Sequence, residues 1–252
     1  MMLLVDVGNT RIKWAMAHGD ILSEQGAISH QLDVENNFQQ FAILDQHWSE
    51  LGMPERVVIA NGTGAMQMQH IESWVKQHWL CPVSYLTTPK IQLGVTNAYA
   101  RHQDLGIDRW LGLLAGHHLV DGAVCIIDCG TAVTVDAIDV NGRHLGGCIV
   151  AGLAMMRNAL NQTGKINVQP VRAENALSAV NASTKTAIYC GTLYAVSKAV
   201  DAIIVDMKNV LASDVSCIIT GGDAKLIQPL LCENTVYEKD WLLKGMAVSV
   251  SQ

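Results

Sequence analysis

A strand followed by Asp-x-Gly occurs twice in this chain, about half the chain length apart. The copies are LLVDVGNT at residues 3–10 and VCIIDCGT at residues 124–131. A second β-rich run follows each copy, so each motif is predicted to lie on the tight turn of a β-hairpin. Two strand-to-Gly junctions come later, at residues 57–64 and 217–223. This self-similarity indicates an internal duplication.

The duplication predicts an α/β fold of two similar domains that face one another across a cleft. We place the boundary near residues 116–123, with domains at 1–118 and 119–252. Apolar spacing of three to four residues predicts helices over 71–78, 108–118 and 183–211, and residues 166–182 are predicted as loop.

Composition excludes several classes of protein. Of the 252 residues, 50% are hydrophobic and 16% are charged, the opposite of a disordered chain. The net charge of −6 argues against a nucleic-acid or membrane-surface binder, which would present a basic patch. We expect no apolar stretch that reaches the ~18 residues of a membrane span. Asp6 interrupts the N-terminal apolar run at once, so we expect no signal peptide.

The seven cysteines form no CxxC pair, which excludes an obvious zinc ribbon or thioredoxin-like motif. Cys125, Cys148 and Cys217 lie in apolar runs and are expected to be buried, free thiols. We therefore expect a reducing, cytoplasmic environment. The nine histidines are scattered, and we expect structural or surface roles for them.

The Asp-x-Gly turn has the chemistry of a phosphate site. Gly8 permits close approach of an anion, and successive turn N–H groups can cradle it. Asp6 could hold a magnesium ion directly or through its water shell, while Arg11 and Lys13 could neutralise phosphate charge. The alternative is a hairpin whose polar residues merely satisfy turn geometry. Two copies on a duplicated pattern favour phosphate binding. P-loop, GxGxxG, HExxH, GxSxG and protein-kinase signatures are absent.

Five motifs in order resemble those of the type III pantothenate kinase family over nearly the whole chain. They are DVGNTR at 6–11, GIDR at 106–109, DCGTA at 128–132, GGCI at 146–149 with Gly152, and TGG at 220–222. Residues 240–245 also resemble the last helix of the family. The resemblance implies two ribonuclease-H-like domains of the actin-like ATPase superfamily, a homodimer, and ATP-dependent phosphorylation of pantothenate at the start of coenzyme A synthesis.

The resemblance also implies site residues. Asp108 would be the general base, and its alternative role is the N-cap of a helix that begins at Arg109. The implied pantothenate contacts are Tyr99, Gly106, Ile107, Arg109 and Thr184, the last across the dimer interface. Arg109 could instead be a surface residue, Tyr99 a half-buried aromatic, and Thr184 a helix cap.

The implied ATP contacts are Asp6, Val7, Gly8, Asn9, Thr10, Arg11, Ile12, Lys13, Thr131, Gly221 and Gly222. Asp128 would bind a monovalent cation, potassium or ammonium, and Asp6 would bind magnesium. Turn chemistry alone could also explain Asp128, and a strand-to-helix turn could explain the two glycines. One departure is Ala151, where the family usually has Pro, and we expect a looser loop there.

Two other functions remain open from the residues. One is another kinase of the superfamily acting on a sugar or small alcohol, or a phosphohydrolase, since the first turn would look alike. The other is a non-catalytic regulatory accessory factor, although the acidic balance disfavours direct DNA binding.

Overall fold

The computed structural model of the protein describes residues 1–29, 37–62, 65–162, 177–212 and 214–251. The strands in chain order are β1 Met2–Val7, β2 Arg11–His18, β3 Ile21–Ser29, β4 Arg56–Asn61, β5 Val83–Tyr85, β6 Ile91–Gln92, β7 Val95–Thr96, β8 Ala123–Cys129, β9 Ala132–Ile138, β10 His144–Ala151, β11 Val215–Thr220 and β12 Val236–Tyr237. The helices are α1 Asn37–Ser49, α2 Ala65–His78, α3 Ile107–Leu119, α4 Leu153–Asn161, α5 Thr184–Leu211, α6 Ala224–Ile227 and α7 Trp241–Val250.

Two five-stranded sheets repeat one topology. The first has the order β3-β2-β1-β4-β5 and the second the order β10-β9-β8-β11-β12. In each sheet the first three strands of the order are antiparallel, and the last two pair in parallel. The parallel strands are β4 and β5 in the first sheet and β11 and β12 in the second. Both Asp-x-Gly motifs lie where their hairpins turn, β1–β2 and β8–β9. The predicted duplicated α/β fold is confirmed.

By internal packing the chain divides into two compact units. Unit 1 comprises residues 1–119 and 240–252, and unit 2 comprises residues 120–239. The division after residue 119 lies within the predicted boundary region. Residues 240–252 were predicted to be part of the 119–252 domain. They belong to unit 1 instead, because α7 packs on α3 and β1.

The core of unit 1 is built around four tryptophans. Trp48 of α1 is fully buried, stacks on Trp79 and meets the edges of Trp14 and Trp74. Each buried aromatic side chain removes a large apolar area from water and fixes a preferred ring geometry. On β1, residues 3–5 are fully buried, which explains why this strand reads as a continuous apolar run.

The core of unit 2 forms where α5 packs against β8 to β11. Its buried residues include Val133, Leu193 and Val200. Helix α5 begins one residue after the predicted start and ends where predicted. Contrary to the expectation from sequence, it is long and apolar enough to span a membrane, with a mean hydropathy of 1.4 over 18 residues. Half of that window is buried inside the protein, as expected for a core helix.

Helix bounds otherwise shift modestly from the predictions. The candidate at 71–78 is the second half of the longer α2, and the candidate at 108–118 extends by one residue at each end. Residues 177–182 hold no helix or strand, as predicted, while 163–176 lie outside the described residues.

The prediction that Cys148 is buried is wrong. It lies on β10, the edge strand of the second sheet, and is exposed, whereas Cys125 and Cys217 are buried as expected. Residues 147–149 are all exposed, so this part of the edge strand is uncovered on both faces, and the sequence does not reveal that the strand lies at an edge.

Candidate active site

The first Asp-x-Gly turn joins β1 to β2 in unit 1. The Gly8 N–H donates to the Arg11 carbonyl at 2.9 Å, and the Gly62 N–H donates to the Val7 carbonyl at 3.0 Å. Asp6 is only 8% exposed and lies opposite Lys13 in the β1–β2 register. Because opposite residues share a face of the sheet, the side chains of Asp6 and Lys13 project from the same face beside this turn.

The side chains around this turn divide into two groups. Asn9, Thr10 and Arg11 are exposed, so their donors are accessible to a ligand. Val7 and Ile12 are fully buried, so they could contact ATP only through backbone atoms.

The second Asp-x-Gly turn joins β8 to β9 in unit 2, where three segments meet. The Gly130 N–H donates to the Ala132 carbonyl at 3.1 Å, which closes the turn. The Gly152 N–H donates to the Thr131 carbonyl at 3.1 Å, and the Asp223 N–H donates to the Cys129 carbonyl at 3.0 Å. The turn is therefore held by the end of β10 on one side and by the β11–α6 junction on the other.

Two glycines permit this close approach. Gly221 has φ +97°, and a Cβ there would lie 2.4 Å from Asp128 Oδ1 and 2.5 Å from backbone atoms of Cys129. A Cβ at Gly152 would lie 2.4 Å from the Thr131 carbonyl oxygen. Each position therefore requires glycine, whatever ligand the turn binds. Ala151 itself ends β10 opposite Ala132, so the segment that departs from the family pattern is ordered strand.

The electrostatics of the second turn follow from burial. Burial, together with the carboxylates of Asp128 and Asp223, raises the pKa of the Cys129 thiol. This sulfur therefore stays protonated and unreactive at neutral pH. Among the described residues there is no group of three or more His, Cys, Asp or Glu side chains that could hold a metal.

The Gly-Ile-Asp-Arg segment begins α3. The Trp110 N–H donates to the Gly106 carbonyl at 3.0 Å, and the helix starts at Ile107. Asp108 therefore lies inside the first turn and is not the N-cap of a helix starting at Arg109. Its Oδ1 accepts the Arg109 N–H at 2.8 Å, and no hydrogen bond to its Oδ2 occurs among the described residues. The side chain is exposed.

Gly106 makes room for this carboxylate. A Cβ at Gly106 would lie 2.4 Å from Asp108 Oδ1. Any other residue at this position would push the Asp108 side chain aside. The glycine of the motif therefore has a direct steric link to the candidate base.

Arg109 and Tyr99 form a pair next to Asp108. Arg109 is 8% exposed, its Nη1 donates to the Tyr99 hydroxyl at 2.9 Å, and its guanidinium lies over the Tyr99 ring at 5.6 Å from the centroid. Arg109 is therefore not a surface residue, and Tyr99 is half-buried. Tyr99 and Arg109 are ten positions apart in the sequence, and the structure brings their side chains into contact.

Sequence reasoning missed two residues beside Tyr99. The buried Asn97 accepts the Tyr99 N–H at 2.9 Å, and Lys90 Nζ donates to the carbonyls of Asn97 and Tyr99. Neither residue belongs to a recognisable motif, and only the long-range pairing around the β6–β7 hairpin reveals them.

Thr184 lies at the first residue of α5 and is exposed. Its alternative role as a helix cap is wrong, because Ser183 is the N-cap and its Oγ accepts the Thr186 N–H at 3.2 Å. Thr184 therefore does not cap α5, and its exposed side chain is accessible to a ligand.

Comparisons with known proteins agree with this arrangement. The family profile for type III pantothenate kinase matches residues 2–206. A type III pantothenate kinase of Nitrosococcus oceani is 38% identical over 253 residues, covering 98% of this chain and 92% of the relative. One from Pseudomonas aeruginosa PAO1 is 32% identical and covers 99% and 98%.

Two solved structures share the fold. A conserved Baf family protein from Campylobacter jejuni has a TM-score of 0.57 at 20% identity, covering 97% of this chain and 94% of that one. The ethanolamine utilization protein EutJ from Carboxydothermus hydrogenoformans has a TM-score of 0.52 at 12% identity, covering 98% and 89%. At these identities the structures support the fold alone, whereas the sequence matches span the chain and its motifs. The chain belongs to the type III pantothenate kinase family.

Proposed function

We propose that this chain transfers a phosphoryl group from ATP to the terminal hydroxyl of pantothenate, the first step of coenzyme A biosynthesis. Family membership supports a kinase that uses ATP and a divalent metal. The observation that carries the proposal is the exposed carboxylate of Asp108 directly beside the Arg109–Tyr99 pair. A proton acceptor and a cationic holder for an acidic substrate thus occupy adjacent positions.

Asp108 is the proposed general base. Phosphoryl transfer depends mainly on positioning and charge neutralisation, and an Asp accepts the proton of the attacking hydroxyl. Oδ1 is held by the Arg109 N–H, so the carboxylate has a fixed direction. As the hydroxyl oxygen bonds to the γ-phosphorus and ADP leaves, its proton passes to the Asp108 carboxylate.

Arg109 and Tyr99 are proposed to bind the pantothenate carboxylate. A guanidinium presents donors in a planar fork that suits two oxygens at once. The bond from Nη1 to the Tyr99 hydroxyl fixes the fork before substrate arrives. The backbone of Gly106 and Ile107 and the hydroxyl of Thr184 complete the proposed contacts. Thr184 would act on the substrate of a partner protomer in the proposed homodimer.

The phosphates of ATP are proposed to bind the first turn. The N–H groups of residues 9 and 10, the side chains of Asn9 and Thr10, and the cations Arg11 and Lys13 supply positive potential there. Asp6 is a single, nearly buried carboxylate at a strand end, which fits the sparse ligation that magnesium prefers. Bound magnesium would supply charge neutralisation for the phosphates. In unit 2, Thr131, Gly221 and Gly222 are the proposed ATP contacts.

Asp128 is proposed to hold the monovalent cation, potassium or ammonium. The support is its position between Thr134 and Thr220 in the strand register, with the carbonyl of Thr131 on the adjoining turn. A cytoplasmic location is also a proposal, consistent with seven cysteines that are free.

An acceptor screen tests the proposed function. Purified protein with ATP, magnesium and potassium is given pantothenate, glucose, mannose or no acceptor, and ADP release is followed in a coupled assay. We expect turnover with pantothenate alone, and a strong decrease when sodium replaces potassium. Turnover with a sugar and not with pantothenate would assign the chain to another kinase activity. Acceptor-independent ADP release would indicate a phosphohydrolase.

A further inference from the structure

A short hairpin precedes the Tyr99 segment in unit 1. Strands β6 and β7 are joined by Leu93 and Gly94, which have φ +51° and φ +81°. Two successive positive φ angles fit the two-residue turn that matches strand twist in a hairpin. Trp110 Nε1 donates to Gln92 Oε1 at 3.0 Å, and a ring nitrogen of His118 lies 2.8 Å from the Leu93 carbonyl. The hairpin is thus fixed to α3, the helix that carries Asp108 and Arg109.

The open end of the hairpin is closed by Lys90 and Asn97. The Asn97 N–H donates to the Lys90 carbonyl at 2.9 Å, which continues the strand ladder by one pair. Lys90 Nζ then donates to the carbonyl of Asn97 at 2.6 Å and to that of Tyr99 at 3.3 Å. One ammonium therefore holds two carbonyls of the segment that leads out of the hairpin.

Asn97 fixes the same segment from inside the protein. Its side chain is fully buried, its Oδ1 accepts the Tyr99 N–H at 2.9 Å, and its Nδ2 donates to the His102 carbonyl at 3.2 Å. Both polar atoms of a buried amide are thus satisfied by the loop itself. The backbone of Tyr99 is held at its N–H by Asn97 and at its carbonyl by Lys90.

We propose that Lys90 and Asn97 are positioning residues for substrate recognition. They act through Tyr99, whose hydroxyl holds Arg109 Nη1, and they set the affinity for the acidic substrate without contacting it. The inference rests on the proposed function, in which Arg109 and Tyr99 bind the pantothenate carboxylate. Small displacements matter in such a pair, since errors of about 1 Å in positioning degrade a site strongly.

Lys90→Met removes the ammonium and keeps a side chain of similar length. We expect the KM for pantothenate to rise about tenfold, which corresponds to about 1.4 kcal/mol, with the KM for ATP within twofold of the wild type. Lys76→Met is the matched control, because Lys76 is an exposed lysine on α2. Lys90→Arg keeps a cationic donor at this position, so we expect its KM for pantothenate to stay close to that of the wild type.

A double-mutant cycle separates positioning from plain stabilisation. In a Tyr99→Ala background, Lys90→Met should raise the KM for pantothenate no further, because the residue through which it acts is gone. Additive effects would overturn the inference. So would a lower melting temperature accompanied by unchanged KM values, which is the signature of a structural role.

The failure of this inference is distinct from failure of the proposed function. If the wild type shows no pantothenate-dependent turnover, the proposed function fails. If the wild type is active and Lys90→Met behaves like Lys76→Met, the positioning role fails and the proposed function stands.

Discussion

Replacing Gly221 by Ala perturbs the second turn in two ways at once. The residue has φ +97°, a region that side chains disfavour, and the added Cβ would lie 2.4 Å from Asp128 Oδ1 and 2.5 Å from backbone atoms of Cys129. Backbone atoms held in a strand cannot move aside as the end of a flexible side chain can. The substitution must therefore shift the β11–α6 junction or the turn itself.

The expected loss of unfolding free energy is the sum of backbone strain and overpacking. A non-glycine residue in a sparsely populated backbone region costs about 1–3 kcal/mol. Overpacking against a fixed neighbour costs a further 1–3 kcal/mol or so. Together they predict a loss of roughly 2–6 kcal/mol of unfolding free energy. At about 2–4 °C per kcal/mol for a chain of this size, the melting temperature should fall by at least about 4 °C.

Three other glycines of unit 2 separate the two terms. Gly146 has φ +117° and nothing within 4 Å of a Cβ, so Gly146→Ala carries backbone strain alone. Gly152 has φ −73°, and its Cβ would lie 2.4 Å from the Thr131 carbonyl oxygen, so Gly152→Ala carries the clash alone. Gly191 is exposed on α5 with nothing within 4 Å, and Gly191→Ala should gain up to about 1 kcal/mol of helix propensity.

Thermal denaturation of the four variants is the assay. All four share the same loss of unfolded-state freedom, so differences among them report the folded state. We expect Gly191→Ala to have the highest melting temperature, Gly146→Ala and Gly152→Ala lower ones, and Gly221→Ala the lowest. Gly221→Ala should also bind ATP poorly. If Gly221→Ala melts no lower than Gly146→Ala and Gly152→Ala, the account that adds backbone strain to a steric clash at Gly221 is refuted.

Three further predictions concern carboxylates. Asp108→Asn should lower kcat by at least about a hundredfold at an unchanged melting temperature, because the proton acceptor is lost. The exposed control Asp104→Asn should keep full turnover. Full activity of Asp108→Asn in the ADP-release assay would place the base elsewhere. Asp128→Ala should abolish the potassium requirement and impair ATP use, and an unchanged potassium titration would refute the cation role. Burial acts to raise the pKa of Asp201, but hydrogen bonds, chiefly from the Cys232 N–H, lower it below its usual value. Its stabilising effect is therefore present above about pH 4 and lost as pH falls through the lowered pKa, so urea denaturation should show wild type and Asp201→Asn converging in acid and diverging near pH 6.

The duplicated fold could be predicted because its signal is local and repeated. The apolar runs that become β1 and β8 are followed by the same Asp-x-Gly turn, and the turn type dictates a hairpin. Neither β5 nor β12, with three and two residues, gives a detectable pattern, so the full sheet order required the structure.

Long-range packing explains what the sequence did not reveal. Helix α7 follows unit 2 in the chain but packs on α3, and no local periodicity encodes that choice. The alternative role of Asp108 as the N-cap of a helix beginning at Arg109 is wrong, because α3 already begins at Ile107. The positioning contacts of Lys90 and Asn97 depend on the closure of a hairpin whose strands are two residues long.

The central claim is that pantothenate accepts the phosphoryl group. Its most direct test is to incubate the wild-type protein with ATP, magnesium, potassium and pantothenate, and to identify the product by mass spectrometry and phosphorus NMR. We predict one phosphate monoester on the terminal hydroxyl of pantothenate, formed in equal amount to ADP. Unchanged pantothenate while ADP accumulates, or no ADP at all, would contradict the account.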